Sequence, residues 1–235
     1  MTTSATPAPP GPRILVATAV PAERDAVAGA LTEGGPDTDV LAVGVGPAAA
    51  AAGTATALAR AAAEARPYAL VVSAGIGGGF TPHAPLGSLV VADEITVADL
   101  GAETPDGFAP VIELGFGAVT HRPPRSLVRD VADACGAATG TVLTVSTVTG
   151  SAERAAELRL RHPRALAEAM EGFGVAEAAA LHGLPVLEIR AVSNPVGPRD
   201  RAAWRIGDAL AALSDAFGKC APVLRGCTTH DVTHD

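Results

Sequence analysis

Residues 164–201 contain the pattern that most restricts the fold of this chain. An extended approach precedes an alanine-rich helix that is predicted over residues 172–182. Gly183 ends that helix at a position where glycine is favoured, and Pro185 cannot continue it. The apolar run 185–192 then predicts a buried strand. The order strand, helix, strand is typical of an α/β protein.

Candidate site residues precede the predicted helix and end the strand that follows it. Met170 and Glu171 come directly before the predicted helix, and Ser193 and Asn194 end the predicted strand before Pro195 turns the chain. Ligands bind at the carboxyl ends of the strands in open α/β sheets. We therefore predict that Glu171 and Asn194 face one crevice.

The rest of the chain repeats this alternation, and no internal repeat is evident. Further strands are predicted at residues 13–20, 39–45, 68–74, 86–95 and 141–147, and further helices at 47–66, 123–136 and 200–217. We expect one α/β domain over residues 13–218. The proline-rich residues 1–12 are predicted to be a disordered leader, and residues 219–235 a disordered tail.

Composition narrows the class of function. The formal net charge is -8, and Lys and Arg do not cluster, so no nucleic acid partner is expected. No apolar run reaches the roughly 20 residues of a membrane span, so no membrane partner is expected either. The 3 cysteines fit a reducing compartment better than a disulfide scaffold. We predict a cytoplasmic protein.

A glycine-rich stretch follows the predicted strand 68–74. Gly75, Gly77 and Gly78, with Ile76 among them, are predicted to form a loop whose backbone approaches a ligand closely. The alternative is a flexible turn. No Lys-Ser or Lys-Thr follows, as a P-loop would require.

A second glycine pattern, Gly44-Val-Gly46-Pro-Ala-Ala49, fits the G-x-G-x-x-A motif of dinucleotide-binding units. The next predicted strand ends in Ser-Ala-Gly and carries no acid for a ribose. Close packing of a helix on a strand also explains these glycines. A dinucleotide-binding domain stays open as an alternative.

Three other residues are candidates for the site. Glu23 lies in the first turn of a helix that begins at Pro21, where it either stabilises the helix dipole or faces the ligand side of the sheet. Thr149 follows the predicted strand 141–147. Trp204, placed on the last helix, is either a core residue or the wall of a pocket.

The sequence Met170-Glu171-Gly172 before a helix of small residues, with Arg190-Ala-Val-Ser-Asn194 one strand later, resembles the purine nucleosidase and nucleoside phosphorylase superfamily. The resemblance extends over residues 13–217 and is greatest to the futalosine hydrolases, relatives of the methylthioadenosine/S-adenosylhomocysteine nucleosidases. It implies a single-domain, three-layer fold with a central mixed sheet flanked by helices. The implied reaction is hydrolysis of futalosine to hypoxanthine and dehypoxanthinyl futalosine in menaquinone biosynthesis, without a metal or organic cofactor.

The resemblance also implies roles for residues. Glycosidic cleavage passes through an oxocarbenium-like transition state, which requires a base for the water, a grip on the sugar and assistance to the leaving group. Glu23 matches the carboxylate that activates the water. Glu171 matches the carboxylate that binds the ribose hydroxyls, with Met170 against the sugar, although a helix cap is its alternative role. Trp204 matches an aromatic residue of the 5′ pocket.

Two residues depart from the family pattern. Relatives acting on 6-aminopurines carry Asp where this chain has Asn194, and an amide donates a hydrogen bond without supplying a titrating proton. We therefore expect hypoxanthine as the leaving group, although Asn194 could be only a turn former before Pro195. Ile76 stands where nucleosidases often place a hydroxyl. No Arg is placed to bind phosphate in the Gly75 to Gly79 stretch, which favours water as the nucleophile.

Other functions stay open at this point: a methylthioadenosine/S-adenosylhomocysteine-type nucleosidase, a 6-oxopurine nucleoside phosphorylase, or a non-catalytic purine nucleoside-binding protein. The resemblance implies a homodimer or higher homo-oligomer in which a neighbour's loop closes the 5′ pocket, and residues 104–108 are a candidate lid or subunit contact. Arg199 or Arg201 is the hypothesised partner of the substrate carboxylate. Cys227, His230 and His234 have metal-like spacing, but we expect a disordered tail and no metal there.

Overall fold

Strands and helices alternate in the first and last parts of the chain, as the sequence predicts, whereas the strands between residues 70 and 121 follow one another without a helix. The computed structural model describes residues 13–31 and 37–226, so the predicted leader lies outside the described residues. The strands are β1 Ile14–Thr18, β2 Thr38–Ala42, β3 Leu70–Gly79, β4 Leu89–Val97, β5 Gly101–Thr104, β6 Gly107–Pro110, β7 Thr120–His121, β8 Ala138–Thr144, β9 Ala165–Ala169 and β10 Val186–Pro195. The α-helices are α1 Pro21–Ala30, α2 Pro47–Ala63, α3 Arg125–Cys135, α4 Ala152–Arg161, α5 Gly172–Leu181 and α6 Ile206–Gly226, and a 3₁₀ helix spans Arg201–Ala203.

The central sheet is mixed and partly closed. Its strand order is β10-β4-β8-β9-β3-β1-β2, and β10 also pairs with β3, so that five of the strands form a ring. Strands β1, β2, β3 and β10 run parallel to one another. Strands β4, β8 and β9 form a second parallel group. The groups meet in antiparallel pairs, β3 with β9 and β10 with β4, whereas the sequence led us to expect an open sheet.

Helices cover both faces of the sheet, which makes three layers. The apolar residues of α1, α3 and α6 form one buried cluster with Val72 and Ile189 of the sheet. Those of α2 and α5 form a second cluster with Leu15 and Val71. Neighbouring residues of a strand point to opposite faces, so an unbroken apolar strand such as β1 serves both clusters.

The glycine-rich stretch is a strand and not the predicted loop. Strand β3 pairs with β1 at its beginning, with β9 at Gly78 and Gly79, and with β10 along most of its length. A Cβ on Gly77 would lie 2.7 Å from the carbonyl oxygen of Glu168. These glycines are therefore required by the close approach of neighbouring chain segments, which local sequence does not reveal.

The last helix differs from the prediction at both ends. Helix α6 begins at Ile206, so Trp204 lies in the connection before it and not on the helix. At the other end, α6 continues through Pro222 to Gly226, so residues 219–226 are helical and do not belong to a disordered tail. The reason is a buried stripe at helical spacing, formed by Leu213, Phe217, Cys220 and Leu224.

Candidate active site

A cavity of about 190 Å³ lies where the carboxyl ends of several strands converge. Ten of the eleven predicted site residues line it: Glu23, Ile76, Gly77, Gly78, Thr149, Met170, Glu171, Ser193, Asn194 and Trp204. The sequence analysis did not single out the other lining residues, which are Ala19, Val20, Val45, Val148, Glu168, Ala169 and Val196. Strands of both parallel groups contribute residues to the cavity, because β3 and β9 meet near their carboxyl ends.

Glu23 connects the start of α1 to strand β3. Its Oε2 accepts hydrogen bonds from the amides of Ala19 at 2.9 Å and Val20 at 3.3 Å, and its Oε1 accepts one from the amide of Ile76 at 2.9 Å. The residue is 4% exposed. Glu23 therefore stabilises the helix start and faces the cavity at the same time, so the two predicted roles do not exclude each other.

Ile76 takes part in the site through its backbone. Its amide binds Glu23, while its side chain is half-buried and packs against the apolar cluster of α1, α3 and α6. The side chain of Ile76 carries no hydroxyl, so its polar contribution to the site is the backbone donor that holds the Glu23 carboxylate.

Glu171 binds three donors and does not cap its helix by its side chain. Its Oε1 accepts from the amide of Gly46 at 3.3 Å, and its Oε2 from the amide of Met170 and from Nη1 of Arg190, each at 3.3 Å. The second glycine pattern thus contributes a backbone donor, at a glycine with φ 88°. These contacts leave carboxylate lone pairs for a ligand.

A buried ionic cluster lies directly below these carboxylates. Arg190 is 1% exposed, and besides Glu171 it binds Oε1 of Glu188 at 2.8 Å and Oγ of Ser73 at 3.0 Å. Burial alone would lower the pKa of Arg190, but Glu188, Glu171 and Glu23 together raise it. Burial raises the pKa of Glu188. The available signal in the sequence was a pair of opposite charges, Glu188 and Arg190, within a predicted buried strand.

Gly75, the eleventh predicted residue, does not line the cavity. A Cβ at this position would lie 2.6 Å from Nη1 of Arg190 and 2.7 Å from Oε1 of Glu23. Its role is therefore to leave room for the two charged groups to approach each other beneath the site.

A β-bulge positions Asn194. Strand β10 pairs Val192 with Gly77 and Asn194 with Gly78, so Ser193 is an extra residue between them. The Ser193 hydroxyl donates to Oδ1 of Asn194 at 2.9 Å, and Nδ2 of Asn194 donates to the Pro195 carbonyl at 3.0 Å. One amide hydrogen and one oxygen lone pair remain for a ligand. Asn194 lies within the strand, which extends to Pro195, and not in a turn.

Trp204 forms part of the cavity wall with positive charge behind it. The indole is half-buried, and the guanidinium groups of Arg199 and Arg201 lie 5.5 and 5.7 Å from its ring centroid. Both arginines are exposed, and neither lines the cavity. Cation–π contacts of this kind place two positive groups beside the aromatic residue.

Glu168 is a carboxylate of the cavity that the sequence analysis missed. It is 4% exposed, its Oε1 accepts from the Thr149 amide at 2.9 Å, and its Oε2 accepts from the Thr149 hydroxyl. Burial raises its pKa, against the opposite effect of the two Thr149 hydrogen bonds. An isolated Glu in the short apolar segment before Met170 was the available signal.

A larger groove of about 1030 Å³ lies elsewhere, between α3 and strand β4, and contains none of the predicted residues. Two pairs of its charged side chains form salt bridges, Arg122 with Glu94 and Arg164 with Asp93. Within residues 13–31 and 37–226, no group of three or more His, Cys, Asp or Glu could hold a metal ion. Cys227, His230 and His234 lie outside the described residues.

None of the described helices is long and apolar enough to cross a membrane. Cys135 and Cys220 are buried free thiols that pack in the apolar cluster of α1, α3 and α6.

Comparison with known proteins identifies relatives over nearly the whole chain. The family model of the phosphorylase superfamily matches residues 15–227. A futalosine hydrolase of Streptomyces coelicolor is 68% identical over 232 residues, which cover 93% of this chain and 99% of that protein. A futalosine hydrolase of Acidothermus cellulolyticus is 46% identical over 220 residues, covering 86% of this chain and 88% of that protein.

The fold agrees with that of a 5′-methylthioadenosine/S-adenosylhomocysteine nucleosidase of Neisseria meningitidis, solved with methylthio-immucillin-A. The TM-score is 0.75 at 19% identity, and the match covers 88% of this chain and 97% of the other. This likeness confirms the expected nucleoside-phosphorylase-like fold. Together with the two sequence relatives, it shows that the chain belongs to the futalosine hydrolases of the phosphorylase superfamily and is a nucleosidase, an N-glycosyl hydrolase.

Proposed function

We propose that this enzyme hydrolyses the N-glycosidic bond of futalosine and releases hypoxanthine and dehypoxanthinyl futalosine, as a cytoplasmic step of menaquinone biosynthesis. The observation that carries the proposal is the convergence of Glu23, Glu171 and Asn194 on one cavity. The 68% identity to a futalosine hydrolase supports the choice of substrate.

Glu23 is the proposed general base. As the water oxygen bonds to C1′ of the ribose, Glu23 accepts a proton from the water, and the electron pair of the C1′–N9 bond passes to the base. Its hydrogen bonds to Ile76 and Ala19 hold the carboxylate in place before the reaction. A well-placed general base contributes about 10² to 10⁴ in rate.

Glu171 is the proposed partner of the ribose hydroxyls, with Met170 beside the sugar. Both residues line the cavity, and Glu171 is anchored from below by Arg190 at 3.3 Å. A carboxylate that accepts hydrogen bonds from the hydroxyls stabilises the positive charge that develops on the sugar ring.

Asn194 is the proposed donor to the leaving base. Its free amide hydrogen would bind N7 or the 6-carbonyl oxygen of hypoxanthine, which lowers the energy of the departing base without transfer of a proton. The bulge at Ser193 holds the amide in this position.

The lining of the cavity also favours water over phosphate. Among its residues, all within the described part of the chain, there is no Lys, Arg or His. Arg190 lies beneath the cavity and is bound to Glu171 and Glu188. A phosphate dianion would therefore meet carboxylates and no free cation there.

We also propose that the enzyme is a homodimer or a higher homo-oligomer. The segment that follows the β5–β6 hairpin exposes Ile112, Leu114 and Phe116, and Phe116 is 68% exposed. Three large apolar side chains within five residues are typical of a surface that another chain covers.

The test is chromatographic detection of free base from futalosine, inosine and methylthioadenosine, each with and without phosphate. We expect hypoxanthine from futalosine at a rate that phosphate does not change. Adenine from methylthioadenosine would indicate the nucleosidase alternative, and a requirement for phosphate would indicate a phosphorylase. Release of no base from any of the three would contradict the proposal and favour a nucleoside-binding protein.

A further inference from the structure

The proposed mechanism leaves one carboxylate of the cavity without a role. Glu168 faces the cavity, is buried, and is held through both oxygens by Thr149. A carboxylate offers about four lone-pair positions, and Thr149 occupies two of them. The remaining positions are available to a bound molecule.

The pairing of the strands places Glu168 opposite Asn194. On one side of β3, Gly78 pairs with Glu168 of β9, and on its other side Gly78 pairs with Asn194 of β10. Directly paired residues project from the same face of a sheet, and two strand spacings amount to about 10 Å. That width is comparable with a purine ring that carries a hydrogen bond at each edge.

The residue that pairs with both of them, Gly78, has no side chain. Gly78 lies midway, and a Cβ there would lie 3.3 Å from Nδ2 of Asn194 and 2.9 Å from a methyl group of Val196. Gly77 precedes it and also lines the cavity. A flat ring that lies beside the glycines and Val196 would have one edge toward Asn194 and the opposite edge toward Glu168.

The chemistry of that second edge depends on the base. A 6-oxopurine has a hydrogen on N1, whereas a 6-aminopurine has a lone pair there. We propose that Glu168 accepts a hydrogen bond from N1–H of the leaving base, and so determines the preference for 6-oxopurine over 6-aminopurine nucleosides. This inference rests on the proposed function, and adds a residue that distinguishes the two bases.

The burial of Glu168 strengthens the discrimination. With a 6-aminopurine, two acceptors would face each other, and the buried carboxylate would lose solvent without gaining a donor. Sites built to bind a particular hydrogen-bonding group reject analogues without it by as much as about 10⁴ to 10⁵. The two Thr149 donors fix the direction of the carboxylate, and they oppose the rise in its pKa that burial causes.

The test compares futalosine with its 6-amino counterpart, which has the same sugar and 5′ group. We expect wild-type kcat/KM to favour futalosine by at least about 100-fold. The substitution Glu168→Gln preserves size but provides an NH₂ group that can donate to the N1 lone pair. We expect it to reduce the ratio of the two kcat/KM values by at least about tenfold. The 6-oxo substrate would lose the carboxylate acceptor for its N1–H, whereas the 6-amino substrate would gain a donor to N1.

The matched control is Glu94→Gln, which changes a partly buried carboxylate of β4 that binds Arg122 and Thr96 away from the cavity. It should leave both values of kcat/KM unchanged. A folded Glu168→Gln variant with the wild-type ratio would overturn the inference. Absence of base release from futalosine by the wild-type enzyme would instead overturn the proposed function.

A binding measurement on the wild-type enzyme requires no variant. Calorimetry should show hypoxanthine binding at least about tenfold more tightly than adenine. Equal affinity for the two free bases would contradict the inference even if Glu168→Gln failed to fold.

Discussion

The carboxylates Glu23 and Glu171 of the site are each held in place by neighbouring groups of the protein. Glu23 is held by backbone amides at the start of α1 and on β3, and Glu171 is held by Gly46 and Arg190. Such anchoring fixes the direction of a carboxylate before the substrate arrives, which reduces the reorganisation required in the transition state. Single substitutions should therefore affect turnover more than stability.

Glu23→Gln tests this expectation for the general base. The amide retains the size of the side chain but cannot accept the proton of the water, so we expect kcat to fall by about 10² to 10⁴. The matched control is Asp25→Asn in the same helix, where the carboxylate is exposed and binds only Arg24 among the described residues. Base release by the folded Glu23→Gln enzyme at the wild-type rate would exclude the role.

The arginines beside Trp204 are candidates for binding the 5′ end of the substrate. If Arg199 or Arg201 binds the carboxylate of futalosine, replacement by Ala should raise KM by about tenfold, as expected for the loss of one charge-assisted hydrogen bond, with little change in kcat. Inosine lacks that carboxylate, so its KM should not change. Wild-type KM values for futalosine in both variants would rule out the two arginines.

Glu188 makes folding stability depend on pH. Burial raises its pKa, so the folded protein retains a proton on this group at pH values where the unfolded chain has released it. Stability therefore declines as pH rises above the ordinary Glu value of about 4.3, by at most about 1.4 kcal/mol per pH unit for one group. We expect a shallower decline in Glu188→Gln, measured by urea unfolding between pH 5 and pH 8. Parallel curves for the two proteins would contradict this assignment.

At the scale of elements, strand β3 determines the shape of the site. Its first half is mostly apolar and its second half is mostly glycine, so that side chains from α1, β9 and β10 can meet over and under it. Along one edge, β3 pairs first with β1 and then with β9. The glycines are therefore the structural condition for the cavity.

Gly75→Ala tests that condition. The added methyl group would lie between Arg190 and Glu23, and we expect a loss of about 1 to 3 kcal/mol in unfolding free energy together with a large loss of activity. The control is Gly218→Ala in α6, where a Cβ would have no neighbour within 4 Å and should stabilise the helix by about 0.5 to 1 kcal/mol. Urea unfolding and base release measure both effects. Wild-type activity in Gly75→Ala would refute the steric argument.

Most of the longer strands and helices and most of the cavity residues were predictable from sequence, because apolar runs and helix ends are local signals. The second half of β3 was not predictable as a strand, because its pairing partners β9 and β10 are distant in sequence and glycine by itself is typical of loops. The end of α6 was concealed by Pro222, although the buried stripe continued past it. Arg190 and Glu168 were missed because their roles depend on neighbours that only the folded chain supplies.

At the scale of the whole molecule, the exposed apolar segment bears on assembly. We expect light scattering after size exclusion to give a multiple of the mass of one chain. Phe116→Asp should reduce that mass, because a charge would be buried in the interface. Leu160→Asp, which changes an isolated exposed leucine of α4, is the control and should not alter it. A monomeric wild-type protein would contradict the proposal.

The position of β10 has a consequence for synthesis. Strands β3 and β4 follow each other in the chain, yet β10 lies between them in the sheet. During synthesis, β3 and β4 therefore leave the ribosome before the strand that lies between them. Strand β10 can take its place only after residue 195 has left the exit tunnel. Until then, two strand edges stay unpaired, and the proposed general base Glu23 lacks the proposed donor Asn194. The cavity is therefore completed late in synthesis, after β10 and Trp204 have emerged.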